Sequence, residues 1–133
     1  MKITRKERGL AWVLLTVAVL ASAASSLFGL YKTFWWFDEA LHGYFSFAAT
    51  LVLALYAYGA LLTGHRRHEV LLVLTVAGLG LALGTLWEMA EWVYDQFDGA
   101  NVILGKKDTM IDLTLDAIGG VIAGLLSLRM LKN

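Results

Sequence analysis

The sequence predicts an all-α integral membrane protein, folded as a four-helix bundle with both termini in the cytoplasm. Three observations support this prediction: an apolar composition, four apolar stretches of membrane-spanning length, and an uneven distribution of basic residues. Of the 133 residues, 59% are hydrophobic and 17% are charged, and neither proline nor cysteine occurs. A soluble domain of this length has too little interior to bury so much apolar surface. Residues 1–133 are therefore expected to form a single transmembrane domain.

The predicted helices cover about residues 9–31, 38–63, 70–94 and 109–131. Each is long enough to cross a hydrocarbon core of roughly 30 Å, which takes about 20 residues. The first stretch follows a basic segment and contains "ASAAS", a pattern similar to a secretory signal with its cleavage site. Its apolar run continues beyond that site, so we expect the helix to be retained.

Basic residues mark the cytoplasmic side of membrane helices. Four crossings place both ends of the chain and the loop between the second and third helices on one side. That side holds Lys2, Arg5, Lys6, Arg8, Arg66, Arg67, Arg129 and Lys132, whereas the other side holds Lys32, Lys106 and Lys107. This asymmetry predicts cytoplasmic termini and a multi-pass protein of a prokaryotic cytoplasmic (inner) membrane. Membrane lipid is the expected partner, and no nucleic acid is expected.

Acidic residues collect toward the opposite, outer end of the predicted bundle. Residues three or four apart share one face of a helix. Three such pairs are Asp38 with His42, Glu88 with Glu91, and Asp112 with Asp116. Because the second and fourth helices enter from the side where the third leaves, these six side chains are expected at one depth. Asp108, one turn before Asp112, is expected at the rim.

Five carboxylates at this depth require a source of positive charge. A charge at the bilayer centre costs roughly 2.5–3.5 kcal/mol on insertion scales, and intramembrane acids usually serve function. No arginine is available at this depth to pair with them. A metal site rich in oxygen ligands is the favoured interpretation, which suits Mg²⁺, Mn²⁺, Ca²⁺ or Fe²⁺ and allows Zn²⁺. Two alternatives stay open, namely a metal-free core of shared protons and a proton relay or ion path.

Three segments resemble a known family. "FDEALHGYFSF", "WEMAEW" and "DTMIDLTLDAIGGVIAG" are similar to the VanZ-like group of small bacterial and archaeal membrane proteins, in particular its uncharacterised branches. The resemblance covers roughly residues 34–125 and maps onto Asp38, His42, Glu88, Glu91, Asp108, Asp112, Asp116 and Gly119. It implies a shared polar site. The chain departs from the founding member in having Asp116 where asparagine is more usual, and in lacking an arginine after the third helix.

Two functional hypotheses follow from this site. The first is a metal-dependent hydrolase or transferase acting on a lipid or lipid-linked substrate, with Glu88 or Glu91 as general base. In this hypothesis Lys106 and Lys107 attract an anionic headgroup, and Trp35 and Trp36 contact the lipid chains. The alternative is a divalent-cation or proton transporter or sensor that uses the same acidic vestibule. A homo-oligomer is compatible with either. A third hypothesis is a structural protein whose acids hold the helices in register, a role that would be unusual for so many charges.

Overall fold

The computed structural model describes residues 3–58, 69–98 and 103–132, and every regular element in these ranges is a helix. The elements are α1 (Arg5–Phe28), α2 (Leu30–Thr33), α3 (Phe37–Leu53), a π-helical turn (Ala54–Tyr58), α4 (Glu69–Asp98) and α5 (Lys106–Lys132). The predicted all-helical class is therefore confirmed. The helices begin and end a few residues from the predicted bounds, and the first is interrupted.

Local sequence sets both ends of α1. At its start, the side chain of Thr4 accepts a hydrogen bond from the backbone N–H of Glu7 at 3.2 Å, and Glu7 accepts one from the N–H of Thr4 at 2.7 Å. This reciprocal capping fixes the first turn. At its end, Gly29 adopts a left-handed conformation with φ of 65°, which a glycine adopts without steric cost. The chain therefore changes direction at Gly29, and Tyr31 follows on α2.

Three helices are long and apolar enough to cross a membrane: Arg5–Phe28, Glu69–Phe97 and Lys106–Met130. The predicted crossing over residues 38–63 corresponds to the 17 residues of α3 and the five of the π-helical turn. Residues 59–63 of that prediction lie outside the described residues. The α-helical part alone is shorter than the roughly 20 residues that a crossing takes, so the described structure establishes three candidate spans.

The most C-terminal helix occupies the middle of the packing. α5 lies along both α3 and α4, while α1 packs on α3. Glycines make the close approach possible, because small residues let helices pack closely in a membrane. A Cβ at Gly120 would lie 2.9 Å from the Cα of Ala77 on α4, and one at Gly119 would overlap the backbone carbonyl of Gly43 on α3. Farther along the helices, a buried apolar core contains Leu51, Leu55, Leu72, Val76 and Ala123.

Candidate metal centre

His42 lies at the centre of the polar cluster and is only 5% exposed. Its Nδ1 is 3.2 Å from Oδ2 of Asp116, and its Nε2 is 3.8 Å from Oε1 of Glu88. The second distance is too long for a hydrogen bond, and Nε2 has no hydrogen-bond partner among the described residues. A buried polar atom left in this way costs free energy unless a further group satisfies it. His42 thus directs an unpartnered nitrogen into an acidic environment.

Two groups of side chains could hold a metal ion, and they share His42. One group is Asp38, His42 and Asp112, and the other is His42, Glu88 and Glu91. Within each group, one donor atom from every residue lies within 4.8 Å of the others. Metal–oxygen bonds of roughly 2.0–2.6 Å place ligand atoms about 3–5 Å apart, so this spacing fits a single ion. Asp112 is 2% exposed, and its Oδ1 also lacks a hydrogen-bond partner within the described ranges.

The two glutamates are oriented by neighbouring side chains. Thr109 on α5 donates a 2.7 Å hydrogen bond from Oγ1 to Oε2 of Glu88, and Trp87 donates one of 2.7 Å from Nε1 to Oε1 of Glu91. The ring of Trp87 also meets His42 edge to face, with centroids 6.4 Å apart. Thr109 and Trp87 were not among the site residues predicted from the sequence. The i, i+4 spacing of Trp87 and Glu91 was an available signal, whereas the contact of Thr109 with Glu88 joins two helices and had none.

Asp116 occupies a different position from the other acids. It belongs to neither group of potential ligands, and its carboxylate contacts Nδ1 of His42 instead. Its backbone carbonyl accepts a 2.7 Å hydrogen bond from Oγ of Ser46. The carboxylate fills the space left by the missing side chain of Gly84, where a Cβ would overlap it. The structure therefore brings the six side chains together, with Asp116 on the Nδ1 side of His42 and outside both groups of potential ligands.

A small cavity adjoins these residues. Asp38, His42 and Asp116 contribute polar groups to its lining, and Leu41, Phe45 and Leu83 are among its apolar walls. The space open to the centre of a water-sized sphere is about 20 Å³, whereas one water requires roughly 10–15 Å³. The cavity therefore has room for a small ion or a water molecule.

The remaining predicted site residues do not line this cavity. Lys106 and Lys107 are exposed at the start of α5, and Trp35 and Trp36 are exposed between α2 and α3. Asp108 is partly buried, and its Oδ2 accepts a 3.1 Å hydrogen bond from the N–H of Leu104 ahead of the helix. Asp108 thus helps to define the start of α5, and the roles predicted for the lysines and tryptophans stay predictions.

The apolar helices and the buried polar cluster define a helical, multi-pass membrane protein. Comparison identifies its family: residues 4–133 match a family described as "Predicted membrane protein (DUF2238)", and the chain belongs to it. An uncharacterized protein of Thermotoga maritima is 35% identical over 104 residues, which cover 75% of this chain and 52% of the relative. The chain thus spans about half the length of that relative. No solved structure matches the chain.

Proposed function

We propose that this protein binds a divalent metal ion among α3, α4 and α5. The proposed ligands come from Asp38, His42, Glu88, Glu91 and Asp112. The observation that supports this most directly is the pair of unpartnered buried atoms, Nε2 of His42 and Oδ1 of Asp112, within two overlapping groups of potential ligands. Metal binding satisfies both atoms at once, because each carries a lone pair suited to a cation.

Charge and distance also favour a metal over shared protons. A divalent ion offsets two carboxylates, whereas each proton neutralises one. A proton shared between Glu88 and His42 requires a hydrogen-bond distance, yet Oε1 and Nε2 are 3.8 Å apart. The ligand set holds one imidazole and four carboxylates, which suits Mg²⁺, Mn²⁺, Fe²⁺ or Ca²⁺ and admits Zn²⁺.

The proposal includes a four-helix bundle with cytoplasmic termini in a prokaryotic inner membrane. In this arrangement α3 and the π-helical turn belong to the fourth crossing, which the sequence predicts over residues 38–63. The excess of basic residues at the chain ends and in the 63–70 connection supports this orientation, which places the metal beneath the outer surface. The resemblance to the VanZ-like group agrees, because its motifs coincide with the residues that converge here.

The chemistry we propose is metal-dependent hydrolysis or group transfer on a lipid or lipid-linked substrate. A bound divalent ion activates water or polarises a phosphoryl or carbonyl oxygen. The general base is the glutamate that does not ligate the metal, and Glu91 is the better placed of the two because it is half-buried whereas Glu88 is almost fully buried. The apolar walls beside the ligands suit an amphiphile whose polar group reaches the metal. The exposed Lys106, Lys107, Trp35 and Trp36 would contact the headgroup and chain outside the cavity.

Transport or sensing of divalent cations or protons is the alternative. An acidic vestibule supports it, since such a site concentrates cations. The packing beyond the site favours binding over passage through one subunit. Leu51, Leu55 and Val76 are completely buried there. Thr50 and Ser127, also buried, donate hydrogen bonds to carbonyls of their own helices. Among the residues that the structure describes, these side chains leave no polar path beyond the site, so passage would need a path formed by a homo-oligomer.

Elemental analysis of the purified, detergent-solubilised protein tests the proposal. After equilibration with Mg²⁺, Mn²⁺, Fe²⁺, Ca²⁺ or Zn²⁺ in turn and removal of free ion, the wild type is expected to retain at least one ion per chain. Glu88→Gln and Asp112→Asn should lose most of it. Glu69→Gln is the matched control, because Glu69 is exposed at the far end of the same helix as Glu88. Retention of none of the five metals by the wild type would refute the proposal.

A second measurement separates catalysis or binding from transport. Protein reconstituted into sealed liposomes that contain an ion-sensitive dye is expected to bind the metal without accelerating its entry. Entry that depends on Glu88 and Asp112 but not on Glu69 would instead establish the transport alternative.

A further inference from the structure

We infer that Asp116 is a positioning residue for His42 and not a metal ligand. The geometry points to a carboxylate that fixes the imidazole as the Nδ1–H tautomer, so that Nε2 keeps a lone pair directed toward the other acids. The identity of what Nε2 binds rests on the proposed function, whereas the tautomer itself does not.

The tautomer follows from hydrogen-bonding chemistry. An ionised carboxylate only accepts hydrogen bonds, so an ionised Asp116 whose Oδ2 lies 3.2 Å from Nδ1 of His42 holds the imidazole proton on Nδ1. A neutral imidazole then has its acceptor at Nε2. Oε1 of Glu88 lies 3.8 Å from Nε2, which is outside hydrogen-bond range. A lone pair at Nε2 among carboxylates is suited to a cation.

The fold holds Asp116 in place from two sides. Ser46, one turn after His42 on α3, donates from Oγ to the backbone carbonyl of Asp116 at 2.7 Å. Gly84 on α4 leaves the volume that the carboxylate fills. Metal-binding histidines commonly donate their second N–H to a carboxylate, which orients the ring and raises its basicity. Successive turns of α5 therefore have separate roles, with Asp112 supplying a ligand and Asp116 orienting one.

Nitrogen NMR of the metal-free, ¹⁵N-histidine-labelled protein, recorded at a pH at which titration shows His42 to be neutral, tests the tautomer directly. His42→Gln identifies the His42 signals. The wild type should show a protonated Nδ1 and an unprotonated Nε2. Asp116→Ala should lose this preference, while Asp116→Asn should keep it because the amide oxygen still accepts from Nδ1. Thr114→Ala is the control on the same helix, since Thr114 is exposed and bonds only its own helix. A protonated Nε2 in wild type or in Asp116→Asn would overturn the inference.

Measurements of metal affinity distinguish a failure of the role inferred for Asp116 from a failure of the proposed metal binding. Asp116→Ala should weaken binding by about 10- to 100-fold, the usual effect of removing a group that orients a ligand. Asp116→Asn should retain most of the affinity, and Asp112→Asn should not. If both Asp116 variants lose as much as Asp112→Asn, Asp116 is a ligand and the inference is wrong. If the wild type binds no metal, the proposed function fails, and the NMR result still decides the tautomer.

Discussion

Gly84 on α4 faces the carboxylate of Asp116 on α5 with no room between them for a side chain. A Cβ at Gly84 would overlap Oδ2 and lie 2.8 Å from the Cβ of Asp116. The same carboxylate contacts Nδ1 of His42 at 3.2 Å. The approach of two helices and the orientation of the imidazole therefore depend on one absent methyl group.

Gly84→Ala is expected to lower both stability and metal affinity. The added methyl group forces Asp116 away from His42 or separates the helices, and overpacking of this kind typically costs about 1–3 kcal/mol. Thermal unfolding in detergent measures the first effect, and metal titration measures the second. Gly78→Ala is the matched control, because a Cβ there meets nothing within 4 Å and alanine favours a helix by roughly 0.5–1 kcal/mol over glycine. Equal stability of the two variants would contradict the close contact.

Ser46→Ala is expected to weaken the packing of α3 on α5. It removes the 2.7 Å hydrogen bond from Oγ to the Asp116 carbonyl, and interhelical hydrogen bonds in membranes contribute about 0.6 kcal/mol on average and up to about 1.7. Ser26→Ala is the control, since Ser26 is exposed and bonds only to Ser22 of its own helix. Unfolding in a graded denaturing detergent should show a loss for Ser46→Ala and almost none for Ser26→Ala. The reverse order would count against this contact.

Thr109→Ala is expected to weaken metal binding by about 10- to 100-fold through Glu88. Its hydroxyl donates to Oε2 of Glu88 at 2.7 Å, so its removal frees the carboxylate to rotate. Thr109→Ser keeps the hydroxyl and should restore most of the affinity in isothermal titration. An equal loss in both variants would show that the methyl group, and not the hydrogen bond, is what matters.

Single cysteines can test the orientation, because the chain has none of its own. Lys32→Cys and Lys107→Cys are predicted to react with a membrane-impermeant maleimide added to intact cells. Arg5→Cys and Arg129→Cys are predicted to react only after the membrane is opened. All four positions are exposed, so a difference in labelling reports the side of the membrane and not burial within the protein. Labelling of the cysteines at positions 5 and 129 from opposite sides of the membrane would rule out four crossings.

The sequence predicts the helical class and the meeting of its acids well, because both follow from simple periodicity. Apolar runs near residues 9–31, 70–94 and 109–131 become α1, α4 and α5. Spacings of three and four place Asp38 with His42 and Glu88 with Glu91 on shared faces. These features depend on residues close in the chain, where helix geometry alone fixes the relation.

Features that depend on two helices at once were harder to predict. Asp116 has the same spacing from Asp112 as a ligand would, yet Gly84 and Ser46 direct it to His42. The bond from Thr109 to Glu88 likewise needs the register of α5 against α4. The π-helical turn at Ala54–Tyr58 contains no proline or glycine that would predict it from the sequence. Packing between helices, which no single helix encodes, decides the placement of Asp116 and the bond from Thr109.

The central place of α5 has a consequence for biosynthesis. Chains emerge from the ribosome N-terminus first, so α3 and α4 reach the bilayer before the helix that they enclose. The translocon or the lipid therefore receives His42, Glu88 and Glu91 before Asp112, Asp116 and Thr109 have been synthesised. The group of polar side chains around His42 is therefore completed late in synthesis. Chains arrested before α5 emerges should expose the acidic side chains of α3 and α4, which quality-control proteases can recognise.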